Sequence, residues 1–132
     1  MSKMSFISKI WENQGGERAM SNDFSLVCPV CESTLFDANI THNLNKMAEQ
    51  AGIYACLWHP NDDREEYPNY ETADLLIPIL VEGLNQLRDR YEFFQQFNPK
   101  NGWGTYEGFV KFTSNVLEAC RKYPKSRPEA WI

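Results

Sequence analysis

Two pairs of potential metal ligands constrain the fold of this chain most strongly. The first pair is Cys28 and Cys31, and the second is Cys56 and His59, each with two residues between its members. This spacing lets both side chains of a pair reach one tetrahedral ion from a single turn. The pattern therefore predicts a structural zinc site that joins two distant segments. All four positions would be filled by protein, which leaves no open position for catalysis.

Three alternatives to this zinc site remain open at the level of sequence. His42 could replace His59 as the fourth ligand. Cys56 lies in an apolar run and could simply belong to the core. Cys28 and Cys31 could form a redox pair, although the strand expected after Cys31 is not the helix N-terminus that lowers a thiol pKa.

Length and composition indicate one small globular domain. The chain has 132 residues, of which 42% are hydrophobic and 14% aromatic, enough for a single core. Its net charge of −5 argues against a duplex-DNA partner, because binding to duplex DNA depends on basic contacts to phosphate. No apolar run approaches the ~18 residues of a membrane span, so we expect no membrane partner.

The order of hydrophobic patterns predicts an α+β fold, with an N-terminal β-hairpin packed on about three α-helices. The hairpin covers residues 24–40 and holds the first cysteine pair in its turn, as a zinc knuckle would. Helices are expected from about residue 41 to Gly52, over 72–94, and over 105–122. We expect the segment after Tyr123 to be loosely attached.

Residues 1–20 differ from the rest and are expected to be an N-terminal extension, with residues 21–132 forming the single α+β domain. Gly15, Gly16 and Glu17 can be encoded by a sequence that resembles a bacterial ribosome-binding site. Met20 follows at a suitable distance. Our hypothesis is that Met20 is the native start and that the extension is not native, with Met1 as the alternative.

Two polar clusters suggest a ligand site. Asn39, Thr41, His42 and Asn43 lie at a predicted helix start, where exposed N–H groups favour phosphate or carboxylate. Plain helix capping is the alternative, but it accounts for only part of this polar density.

The second cluster contains Asn101, Trp103, Thr105 and Tyr106, with the tryptophan between two glycines. Such a ring suits stacking on a nucleobase, which is worth ~1–3 kcal/mol per base. The alternative is that Trp103 fills the core under a tight loop. Together the clusters predict a pocket for a nucleobase and a phosphate, provided that the two segments meet.

Several strings resemble a family of small, uncharacterised phage and bacterial proteins over roughly residues 26–124. The strings cover residues 37–44, 46–48, 52–54, 57–58, 101–108, 117–120 and 123–124. The resemblance implies that zinc is a local reinforcement and that function lies in the shared polar strings. Four cysteines without a signal peptide indicate a reducing compartment, so we expect a cytoplasmic location, in the host cell if a phage encodes the protein.

The polar clusters predict a non-enzymatic binding protein for a small polar or nucleotide-like ligand. The resemblance implies a phage-type protein that sequesters this ligand to counter host defence. The alternative is an adaptor or inhibitor that binds a host protein through Trp58, Trp103, Tyr106 and Trp131. A third interpretation is a small enzyme with His42 as general base, although the chain has no recognisable catalytic motif. An oligomer is compatible with each of these.

Overall fold

A three-stranded antiparallel sheet and five α-helices make up the computed structural model, which describes residues 21–62 and 64–131. This architecture confirms the predicted α+β class. The expected N-terminal extension, residues 1–20, lies outside the described residues. In the ranges that are described, no helix has both the length and the apolar character needed to cross a membrane.

Strands β1, Ser21–Val27, and β2, Thr34–Thr41, form the predicted hairpin. Phe24 and Leu26 of β1 are fully buried, because alternate residues of a strand face the same side of the sheet. The turn between the strands, residues 28–33, holds both cysteines of the first pair. The hairpin therefore places this pair at one end of the sheet.

Strand β3, Arg127–Trp131, pairs with the other edge of β1 and gives the strand order β2-β1-β3. The expectation of a loosely attached C-terminal segment is therefore wrong. Pro128 obscures this strand in the sequence, but β3 lies at the sheet edge, where a residue without an N–H is tolerated. The residue just before β3, Ser126, is also bonded to the rest of the fold, because its carbonyl accepts the Ala73 N–H at 2.8 Å.

The helices of the described residues all lie between the hairpin and β3 in sequence. A short 3-10 helix directly precedes the first of these α-helices, and another directly precedes the third. In chain order the elements are the 3-10 helix His42–Leu44, α1 Asn45–Gln50, α2 Tyr54–Trp58, the 3-10 helix Ala73–Leu76, α3 Ile77–Asp89, α4 Tyr91–Gln95 and α5 Tyr106–Lys122.

The long helix predicted over residues 72–94 is divided in the structure. Pro78 lies in the first turn of α3, where its missing N–H would have no intrahelical partner. Arg90, with φ −117° and ψ 44°, separates α3 from α4. The apolar spacing continues through this position, which is why periodicity alone does not reveal the break.

Helix α5 follows its prediction closely and positions the loop before it. The Thr105 hydroxyl oxygen accepts the Gly108 N–H at 2.9 Å, which is the expected N-cap bond. Phe109 and Val116 on its inner face are fully buried. Because α5 packs against both α3 and β2, its N-terminal loop lies beside the end of β2.

Candidate functional site

The two predicted polar clusters meet in the structure. The Asn43 side-chain amide donates to the Trp103 carbonyl oxygen at 3.4 Å. Gly104 lies against the end of β2, where an added Cβ would be 2.7 Å from Thr41 Cγ2. This close approach and a φ of +113° both require glycine at position 104. We call the surface formed by Thr41, Asn43, Asn101 and Trp103 the Trp103 face.

Trp103 is the most prominent group of the Trp103 face, with 60% of its surface exposed. The interpretation in which it fills the core is therefore wrong. Its backbone N–H donates to Asn101 Oδ1 at 2.9 Å, while its carbonyl accepts from Asn43. These two bonds hold both peptide groups of Trp103, so the indole projects from a fixed turn.

Other predicted site residues make bonds within the fold, and so does Thr41 of the Trp103 face, whose hydroxyl oxygen accepts the Asn43 N–H at 3.2 Å as a helix cap. The Asn39 amide donates to Asp23 Oδ1 at 2.6 Å, between neighbouring strands. Thr105 caps α5 through its hydroxyl oxygen. Tyr106 is buried, and its hydroxyl donates to the Leu87 carbonyl at 2.7 Å. The structure thus concentrates the predicted site on the Trp103 face.

His42 is held by the core tryptophan of α2. Its Nδ1 accepts the Trp58 Nε1–H at 2.7 Å, so the neutral ring carries its proton on Nε2. That Nε2 is buried and has no hydrogen-bond partner among the described residues. Burial, with a smaller contribution from His59, lowers the pKa of His42 below its ordinary value. A neutral ring with this tautomer donates a proton and does not accept one, which argues against His42 as a base or as a zinc ligand.

Cys28 and Cys31 lie at the tip of the hairpin, where Cys31 is exposed. The Cys31 N–H donates to Cys28 Sγ at 3.5 Å, and Cys31 Sγ lies 2.9 Å from Ser33 Oγ. Hydrogen bonds from Ser33, first from its side chain and then from its backbone, lower the pKa of Cys31 to about 7. This thiol is therefore well suited to react or to bind metal as thiolate.

The second predicted ligand pair, Cys56 and His59, is buried, and both residues make hydrogen bonds within the fold. The Cys56 thiol donates to the Ile53 carbonyl at 3.5 Å, and burial raises its pKa strongly. Both ring nitrogens of His59 have side-chain partners. Within residues 21–62 and 64–131, no three histidine, cysteine or acidic side chains are close enough to hold one metal ion. Zinc binding by all four predicted ligands stays a prediction.

A polar and aromatic cluster around His59 was not predicted. His59 Nδ1 lies 2.9 Å from Asp62 Oδ2, and Nε2 lies 3.2 Å from the Tyr54 hydroxyl. Hydrogen bonds from Arg64 hold the pKa of Asp62 well below its usual range, and Arg64 Nη2 also lies 3.1 Å from His59 Nδ1. The ring of Tyr67 stacks on His59 with 4.0 Å between centroids. The spacing of three residues between His59 and Asp62 is the only signal of this cluster in the sequence.

The His59 cluster has the order carboxylate, imidazole, hydroxyl that many hydrolases use. Burial raises the pKa of the Tyr54 hydroxyl, however, so this group stays protonated. Tyr54 also stacks on Trp58 with 5.3 Å between ring centroids. These contacts hold the loop after α2 against that helix.

Comparisons of the chain with protein-family models, with curated proteins and with solved structures gave no match.

Two glycines allow a matched test of the contact that joins the clusters. Gly102 and Gly104 both have positive φ, at +81° and +113°, but only Gly104 has neighbours within reach of an added Cβ. We expect Gly102→Ala to lower the free energy of unfolding by about 1–2 kcal/mol through backbone strain. Gly104→Ala should lower it by about 1–3 kcal/mol more, because the methyl group also overlaps Thr41. Equal losses in urea unfolding of the two variants would contradict the contact.

The tautomer of His42 is testable by nitrogen chemical shifts across a pH titration. We expect a proton on Nε2 and a pKa below the ordinary 6.5. Because the unfolded chain then binds the proton more tightly, the free energy of unfolding should fall as pH drops below about 6.5. Trp58→Phe removes the donor to Nδ1 and should raise the His42 pKa. A proton on Nδ1 in the native protein would contradict this assignment.

Proposed function

We propose that this protein is a non-enzymatic binding protein whose Trp103 face holds a small nucleotide-like ligand through its base. One observation carries this proposal. The exposed indole of Trp103 stands on a turn whose backbone is bonded to both Asn43 and Asn101. An exposed tryptophan alone is unremarkable, since much protein surface is apolar. The fixed turn under it is what favours a binding role.

Fixing the turn before binding strengthens recognition. A ligand that stacks on a ring whose backbone turn is already bonded has less of the loop to order, so more of the contact energy appears as affinity. Gly104 contributes here, because its lack of a side chain lets the loop pack on Thr41 and Leu44. Stacking of one base on the indole is worth about 1–3 kcal/mol.

The surrounding groups favour recognition of a base over recognition of a phosphate. At the start of α5 the Tyr106 N–H already donates to Asn98 Oδ1 at 2.7 Å, and the Gly108 N–H donates to Thr105. The Glu107 carboxylate lies in the same first turn and would repel an anion. Asn43 and Asn101, which bond to the Trp103 backbone, carry side-chain amides, and amides match the donors and acceptors of a base edge.

In the cell, we propose that the protein sequesters a nucleotide signal of host defence. This part of the proposal rests on the resemblance to phage proteins. The adaptor alternative is weakened by burial. Trp58 and Tyr106, two of the four aromatics assigned to an adaptor surface, lie in the core. Trp103 would then be the main aromatic contact for a protein partner, so both interpretations depend on the same residue.

Ligand binding is testable with Trp103→Ala in a screen of nucleosides, nucleotides and cyclic dinucleotides. We expect a binding ligand to quench tryptophan fluorescence and to raise Tm in the native protein. In Trp103→Ala the affinity should fall about 5- to 150-fold, which corresponds to the loss of one stacked base. The Tm without ligand should change little, because the ring is largely exposed.

Leu75→Ala is the matched control, because Leu75 is an exposed apolar residue outside the Trp103 face, in the 3-10 helix before α3. Its ligand affinity should equal that of the native protein. A ligand bound equally well by Trp103→Ala would contradict the proposed site. Failure of every ligand, together with capture of a host protein that depends on Trp103, would favour the adaptor.

A further inference from the structure

The tip of the hairpin places two cysteines, with two residues between them, on one tight turn. The Cys28 N–H donates to the Ser33 carbonyl at 2.8 Å, and the Glu32 N–H donates to the Cys28 carbonyl at 2.9 Å. Glu32 has a φ of 63°, which turns the chain sharply just after Cys31. The Cys31 N–H is directed at Cys28 Sγ, and such a bond favours the thiolate form that binds zinc.

This turn is clamped from outside the hairpin. Arg127 of β3 donates to Glu32 Oε1 at 2.7 Å, and its Nε donates to Glu129 Oε2 at 2.8 Å. Glu32, the residue with left-handed backbone at the end of the turn, is thus bonded to strand β3. A turn ordered in this way presents both sulfurs without further folding.

The rest of the chain has no soft ligand available for this site. The sequence contains four cysteines and two histidines, and residues 1–20 contain neither type. Cys56 and Cys120 are buried, and the two histidines are bonded within the fold to Trp58, Tyr54 and Asp62. Glu32 is paired with Arg127.

We propose that Cys28 and Cys31 form half of a zinc site that is completed by the same two cysteines of a second copy of this chain. Val30, between the two cysteines, is 90% exposed. A second hairpin tip facing the first would bury this valine against its counterpart, which adds an apolar contact to the metal bond. The protein would then dimerise through its hairpin tips when zinc is present.

The chemistry of assembly is proton release without any redox change. Four thiols, two from each chain, bind one Zn²⁺ from solution as thiolates, and their protons pass to the solvent. All four zinc positions are then filled by sulfur, so the site is structural. Reduced cysteines are required, because a disulfide between Cys28 and Cys31 would remove both ligands.

The test is the mass and zinc content of the full chain, measured by light scattering and elemental analysis in a phosphine reductant. With ZnSO₄ added we expect a dimer with one zinc per two chains, and with EDTA a monomer. Cys28→Ser/Cys31→Ser should stay folded, because this turn is largely exposed, and should remain a monomer without zinc. Cys56→Ala is the control and should keep the native zinc content.

Three results would overturn the proposal. One zinc per chain in a monomer, lost in Cys56→Ala, would instead support a site within one chain. Absence of bound zinc in the reduced native protein would remove the site altogether. A dimer that persists in EDTA and in Cys28→Ser/Cys31→Ser would assign the interface to another surface. None of these depends on ligand binding at Trp103.

Discussion

Pairing of strand β1 along both of its edges is the constraint on which the rest of the structure depends. On one edge it pairs with β2, and the 3-10 helix that contains Asn43 follows the end of β2 at Thr41. On the other edge it pairs with β3, which brings Arg127 to the hairpin turn at Glu32. The Trp103 face and the cysteine turn lie at opposite ends of the β1–β2 hairpin, and each takes its position from this sheet.

Local chemistry made much of the fold predictable. The hairpin, the left-handed Gly52 that ends the first helix, and the Thr105 cap each follow from residue types at short spacing. The face of α5 followed from helical periodicity, because its buried residues recur every three or four positions. These features need no information from distant parts of the chain.

Long-range contacts account for what the sequence did not show. Residues 127–131 become a strand because β1 offers an unpaired edge, and a proline inside the segment conceals this. The break at Arg90 lies within an unbroken apolar pattern. The burial of Cys56 and His59 depends on how α2 packs, which their C-x-x-H spacing does not reveal. The meeting of Asn43 with Trp103 likewise depends on α5 packing beside β2.

We propose separate roles for the two ends of the hairpin. One end carries the exposed Trp103, which we propose as a ligand contact, and the other carries the Cys28–Cys31 turn, which we propose as a zinc-dependent dimer contact. This separation explains why the strongest motif in the sequence need not mark the binding site. A closed zinc site holds structure, while an exposed ring on a fixed turn leaves a surface for recognition.

The most direct measurement of the central claim is an amide and indole NMR titration of the full chain with a nucleotide identified by screening. We predict that the largest shift changes fall on the Trp103 indole N–H and on the Asn43 and Asn101 side-chain amides. The resonances of Cys28 and Cys31 should not move. Shift changes confined to another surface, such as the groove between α3 and α5, would contradict the assignment of the Trp103 face as the ligand site.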